Sequence, residues 1–230
     1  RGRSAATRRA SKGQAHGAGT RPRRYGQPMA TWHELLDAGE IDGVTAADVD
    51  FSGADEHGLV VLEARFSRAV LADARFTGCR FVDVEFAEAD APDLGLAKSV
   101  LQDVAFTGSR LGGVQAYSGV WTRVRVASSK VGYLNLRAAK LTGVRFENCE
   151  IGELDVSEAQ LNGVGFPGCR IGKLTLSSAR CAKVDLRGAE VLAVESNPDG
   201  LRGVTISAAQ VVDLAPTLAA ILGMKVTNAG

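Results

Sequence analysis

The sequence predicts an all-β solenoid, a four-sided coil of short strands stacked on itself and closed at each end by a short helix. Three observations carry this. All eight phenylalanines, at 51, 66, 76, 81, 86, 106, 146 and 166, share one residue class modulo five with Trp121. From Val61 to Ile206 that class has thirty positions, of which only Ser196 is not apolar, and the position two residues earlier is apolar at 24 of 29. The position just after the centre, Leu62 to Arg202, is apolar at only 9 of 29, so the signal belongs to register and not to general hydrophobicity. Matching sizes also recur every twenty residues, as in Phe66, Phe86, Phe106, Val126, Phe146 and Phe166. Two inward residues in each five, with closure after four fives, describe a square coil; at the ~4.8 Å spacing of paired strands, residues 44–206 make about eight coils and a rod of roughly 40 Å.

Taken in order, residues 1–30 carry eight Lys or Arg and no acid, with almost no large apolar side chain. Such a segment reads as a disordered basic tail. It reads as an arm for nucleic acid or another anionic surface, as an Arg-rich, acid-free transit segment, or as a stretch preceding a natural start at Met29, which leaves open whether residues 1–28 belong to the natural protein. Thr31-Trp-His-Glu34 is a capping box, predicting a helix over 32–38 with exit at Gly39 and an N-terminal cap over 31–43. Residues 44–206 are the repeat rod. Small and large residues alternate at its second inward position, with Ser129, Ala139, Cys149, Ala159 and Cys169 set against Leu134, Val144, Leu154 and Val164. Facing sides can then interdigitate. A turn at Ser196-Asn-Pro-Asp-Gly200 leads to a second capping box, Ser207-Ala-Ala-Gln210. The helix within 207–230 should place Val211, Leu214, Leu218 and Ile221 on the core, kink or split at Pro216, and stop at Gly223. Val212, Ala215, Ala219 and Leu222 form a second apolar stripe, read as the contact of a homodimer.

Chemistry is sparse. The histidines at 16, 33 and 57 have no ligand spacing, and the four cysteines contain no C-x-x-C pair, so they read as reduced and inert, with a Cys149–Cys169 bridge the lesser alternative. Gly163-Val-Gly165-Phe-Pro-Gly168 matches a dinucleotide fingerprint, but Phe166 belongs to the core column and no helix pattern follows. No nucleophile motif appears, and neither a cofactor nor a metal is expected. With no apolar run of membrane length and no signal segment, the reading is a cytoplasmic protein without membrane contact.

Charge is uneven: residues 31–103 hold sixteen acids against five bases, and residues 104–230 ten acids against fourteen bases. Asp73, Asp83, Glu85 and Asp93 are the candidate acidic surface for a partner, although their spacing also fits acids spread around the rod. Arg110, Lys130, Glu150, Arg170 and Glu190 form an outward column whose signs alternate from Lys130, a ladder expected to satisfy itself. Exposed aromatics do not interleave with bases, so direct nucleic-acid binding by the repeats is not expected.

Ala-Arg-Phe-Thr-Gly (74–78), Cys-Arg-Phe-Val-Asp (79–83) and Val-Asp-Leu-Arg-Gly (184–188) give a pattern that resembles the pentapeptide-repeat family. The resemblance implies a right-handed quadrilateral parallel β-helix. It departs at the motif's second position, where Arg65, Arg75, Arg110, Lys130, Arg145 and Glu150 stand in place of the usual Asp or Asn. What it implies for function is a non-catalytic rod that binds another macromolecule, the partner itself unread. The alternatives are a DNA mimic engaging a type II topoisomerase, as in quinolone resistance, or a homo-oligomeric scaffold. Phe51, in the first coil, is expected to pack less firmly than Phe146 in the middle.

Overall fold

Once every fifth side chain must leave water, the chain meets the demand by turning a corner after each inward pair. The computed structural model describes residues 30–36 and 39–227; the expectation of a disordered tail falls almost wholly outside them. Each strand pairs in parallel with the one twenty residues on, as in Val60↔Arg80, Leu101↔Trp121 and Leu134↔Leu154. About eight such coils make a parallel β-solenoid. Its first face is centred on Val61, Phe81, Leu101, Trp121, Leu141 and Leu161, its second on Phe66, Phe86, Phe106, Val126, Phe146 and Phe166. An eleven-stranded sheet holds these two faces. The third face, through Ala91, Leu111, Val131 and Ile151, and the fourth, through Phe76, share an eight-stranded sheet. The coil already begins at Glu40–Asp42, which pairs with Val60–Leu62, so that fully buried Ile41 extends the first column ahead of residue 44.

The core is one continuous cluster from Trp32 to Ala189. Phe66, Phe86 and Phe106 stack at centroid distances of 5.3 and 5.1 Å, and Phe146 lies on Phe166 at 5.2 Å with ring planes 4° apart. Phe51 is as buried as the others and meets Phe66 edge-on at 5.2 Å. The expected looseness of the first coil is therefore corrected: Trp32, itself buried, joins this end of the core.

Corners fall two residues after each face centre, and there the backbone is left-handed. Among the described residues sixteen non-glycine ones, including Glu63, Asp83, Asp103 and Arg123, hold φ between 47° and 62°. This conformation costs about 1–2 kcal/mol per residue and persists because coil pairing on both sides fixes it. The corner between the third and fourth faces differs. After Asp73 it is extended, and six-residue strands such as Lys130–Asn135 and Glu150–Asp155 run straight through it. Gly112, Gly132, Gly152 and Gly172 stack along this corner, where a Cβ on each would collide with the carbonyl oxygen of the residue twenty earlier.

Inside the rod, small polar side chains close the amides that the strand ladder leaves open. The Ala89 N–H donates to Ser109 Oγ at 3.1 Å and the Ser109 N–H to Ser129 Oγ at 3.0 Å. Further along the same column Cys169 Sγ accepts from the Cys149 N–H at 3.5 Å. The small residues of this column are thus hydrogen-bonding groups as well as space-savers.

Both ends are capped. At the N-terminus the helix expected over 32–38 is a single 3₁₀ turn, Trp32–Leu35. Its box does not form, because Thr31 Oγ1 bonds to the Glu34 carboxylate (3.3 Å) in place of a backbone amide. At the C-terminus α1, Ala208–Ile221, has the full box: Ser207 Oγ accepts from the Gln210 N–H and the Gln210 side chain accepts from the Ser207 N–H. Gln210 Nε2 also donates to the Leu186 and Ala189 carbonyls at 2.7 and 2.8 Å, tying the helix to the last complete coil. Helix α1 is not split at Pro216, which lies inside the continuous helix. It ends in a Schellman motif, with Gly223 at φ 73° and the Gly223 and Met224 amides donating to Ala220 and Ala219.

Candidate functional site

A coil of this kind turns every charged side chain outward, so any site is a surface built from columns. Asp83 stands at the corner between the first and second faces and Glu85 on the second face, both near Arg65 at 3.8 and 3.9 Å. Asp73 and Asp93 belong to the other sheet, at the corner between the third and fourth faces. Arg75 crosses Gly95 to reach Asp93 at 2.7 Å. The four acids therefore form two pairs on opposite corners. Among the described residues Asp73 has no ion-pair partner.

Elsewhere the charges close on one another between coils. Lys130–Glu150 (3.3 Å) and Arg170–Glu190 (3.7 Å) are rungs of the expected ladder. Arg123 holds Asp103 with two bonds of 2.6 Å, and Arg68 holds Asp48 with two of 2.9 Å. The Arg123 bond keeps the Asp103 carboxyl below its ordinary range, and the side-chain and backbone bonds of Arg187 take Asp185 down to about 2. These pairs lie at the surface, where water and salt screen them. They organise the surface more than they stabilise the rod.

Buried groups offer little chemistry. All four cysteines are free thiols, and burial pushes those of Cys79 and Cys181 up. In the Cys149–Cys169 pair Cys149 is the more acidic thiol, because its thiolate accepts a hydrogen bond from Cys169; donating that bond, and then burial, pushes Cys169 up. His33 stacks on Trp32 and His57 lies 3.8 Å from Asp55. No cluster of metal-ligating side chains occurs among the described residues. Gly163 and Gly168 are left-handed corners and Phe166 between them is core, so the glycine motif is structural. Cavities inside the coil are about 10 Å³ and lined by apolar side chains. A larger one, about 80 Å³, lies beneath α1 between Leu176, Leu186, Val194 and Leu214.

Helix α1 buries Leu214 and Ala219. Ala219 is thereby removed from the outward stripe, since it sits at the return turn where Met224 bonds to its carbonyl, and Val211, placed on the core face by periodicity, is exposed. The outward apolar set is Val211, Val212, Ala215, Leu222, Met224 and Val226, with Val212 and Val226 each 74% exposed. Sequence reasoning missed the glycine stack at 112–172, whose signal was a twenty-residue recurrence of side-chain absence. Among the described residues no helix is long and apolar enough to cross a membrane.

A family model described as "Pentapeptide repeats (8 copies)" matches residues 63–92. The comparison with curated proteins gives no match. Among solved structures, full-length QnrB1, a plasmid-mediated fluoroquinolone resistance protein, is 14% identical over 78% of this chain and 99% of that one, at a TM-score of 0.31. HetL, a pentapeptide repeat protein involved in heterocyst differentiation regulation in the cyanobacterium Nostoc, is 18% identical over 73% of this chain and 86% of that one, at 0.18. Rfr23 from the cyanobacterium Cyanothece is 12% identical over 76% and 96%, at 0.15. The strand register, twenty residues per coil, carries the fold.

Proposed function

We propose that this chain, a β-solenoid in which a pentapeptide-repeat model matches residues 63–92, is a non-catalytic binding protein, a stiff rod whose outer surface engages another macromolecule. One observation carries the reading: among the described residues the titratable groups that could act are spread outward over four faces, while the coil's interior is packed with apolar side chains. A rod so built offers shape and charge, not a cleft.

The N-terminal coils hold the acidic surplus, and we place a basic partner there, against the Asp83–Glu85 or the Asp73–Asp93 corner. The basic segment 1–30 is then a competitor for the same acids. Exposed charges are screened beyond about 8–10 Å at physiological salt. Binding of a captured partner should therefore weaken as salt rises, strengthen in a chain starting at Met29, and weaken when Asp73, Asp83, Glu85 and Asp93 become Asn or Gln. Salt-insensitive binding that ignores both changes would overturn the placement.

The DNA-mimic alternative draws support from one feature, the corner column Glu63, Asp83 and Asp103 in three successive coils, which ends at Arg123. Inhibition of gyrase supercoiling by the purified chain would favour it; no inhibition at a large molar excess would remove it.

We also propose that the exposed stripe of α1 pairs with its copy to give an end-to-end twofold dimer. Leu222, 62% exposed, should be its sensitive point. Leu222→Glu is expected to leave a folded monomer in sedimentation, whereas a wild type that stays monomeric at high micromolar concentration defeats the dimer.

A further inference from the structure

The first face differs from the other three. From Val60 to Ala182 its outward side chains include no carboxylate; those this face has, Glu40 and Asp42, stand in the coil before, beside Val60 and Leu62. Val60, Leu62, Val82, Val100 and Val120 form an apolar patch on neighbouring strands, none of them buried. Four cations line its side towards the fourth face: Arg80, Lys140 and Arg180, in the column that also holds Val60, Val100 and Val120, and Lys98 at the adjoining corner, whose column carries Glu158 three coils on, held by Arg137. Among the described residues none of these four has a carboxylate within ion-pair distance, although most arginines elsewhere do. Of the acids at the opposite edge, Asp83 and Asp103 are engaged by Arg65 and Arg123, while Glu63, beside Leu62, has no ion-pair partner among the described residues.

Charge decides what can cover such a surface. A second copy laid antiparallel about Val100 and Val120 would set Arg80 against Lys140. Residues 1–30, with eight Lys or Arg and no acid, carry the same sign as the edge. Nucleic acid wants stacking aromatics and dense cations. Here no aromatic points outward on the face, and Arg80, Lys140 and Arg180, three and two coils apart, are about 14 and 10 Å from one another. Carboxylates seven residues apart on a helix stand ~10.5 Å apart, close to the second of these spacings.

We propose that the first face is a docking surface for an acidic amphipathic helix of a partner protein, its apolar side on the Val60–Val120 patch and its carboxylates on Arg80, Lys140 and Arg180. The proposal rests on the reading of the rod as a binding protein. The probe is an 18-residue helical peptide with a Leu/Val stripe flanked by Glu at seven-residue spacing, titrated into the full-length chain, beside a twin with every Glu replaced by Lys. The Glu peptide should shift the amides of 80–82, 100–102, 120–122 and 140–142, and the Lys twin should not bind. Arg80→Glu with Lys140→Glu should weaken binding about tenfold, and Val100→Ser with Val120→Ser should weaken it without changing the circular dichroism. Equal binding of the twin, shifts confined to other faces, or displacement by duplex DNA or anionic vesicles would overturn the assignment. A captured partner that cross-links through residue 130 on the third face and not through residue 120 defeats this face alone. A rod that binds no partner defeats the underlying reading as well.

Discussion

Truncating Phe146 to alanine is expected to lower the stability of the rod by about 3–5 kcal/mol, read as a shift of the denaturant midpoint at unchanged slope. Phe146 has no exposed surface and lies flat on Phe166, while the next residue down its column is the smaller Val126. Small apolar voids of about 10 Å³ already adjoin it on both sides. Removing the ring would join these voids into a cavity that rigid coils cannot collapse to fill, which puts the loss in the upper part of the range. Phe51→Ala should now approach the same loss, because Phe51 is held edge-on between Phe66 and Phe76 at 5.2 and 6.2 Å. A loss at Phe146 below about 1 kcal/mol, the size of a single deleted methylene, would mean that the columns are not packed as a solid.

Gly152→Ala should be comparably damaging, by about 3 kcal/mol, the top of the usual overpacking range. Its Cβ would meet the Gly132 carbonyl oxygen, and backbone cannot rotate aside as a side chain does. The whole extended corner would have to open, straining the Ile151↔Val131 and Ile151↔Ile171 pairings on either side. Gly143→Ala is the matched control. That residue sits at a left-handed corner, φ 64°, where an added Cβ meets nothing closer than Arg123 Cγ at 3.7 Å. Only the backbone term of about 1–2 kcal/mol applies. Equal losses at 143 and 152, measured by the same unfolding curves, would show that the glycine stack is not what holds the corner.

The five-residue register was legible because each inward side chain answers only to the coils above and below it, so one linear pattern specifies the core. The ladder through Lys130, Glu150, Arg170 and Glu190 was legible for the same reason: twenty residues is one coil. Proximity in sequence misleads elsewhere. Asp83 and Asp93 are ten residues apart, which is half a coil, and they stand on opposite corners. The two capping boxes read alike, yet only Ser207 caps a backbone amide, since α1 has fourteen residues and the turn at Trp32 has four. The cation edge of the first face stays hidden until register is known, because Arg80, Lys140 and Arg180 are separated by sixty and forty residues.

The four-cornered coil also makes this chain a kind of screw thread, on which chain length and angular position are the same variable. Losing twenty residues anywhere in the rod would bring the remaining coils back into phase and shorten it by ~4.8 Å, every downstream side chain keeping its compass bearing. Losing five would preserve the inward register yet turn everything beyond the cut through a quarter revolution. A deletion of five residues between Val120 and Lys140 would swing Lys140 and Arg180 off the side that carries Arg80. The extended corner would also arrive where a left-handed one belongs. An insertion or deletion in this protein is therefore a rotation of its surface before it is a change of its core, and only multiples of twenty leave that surface facing the same way.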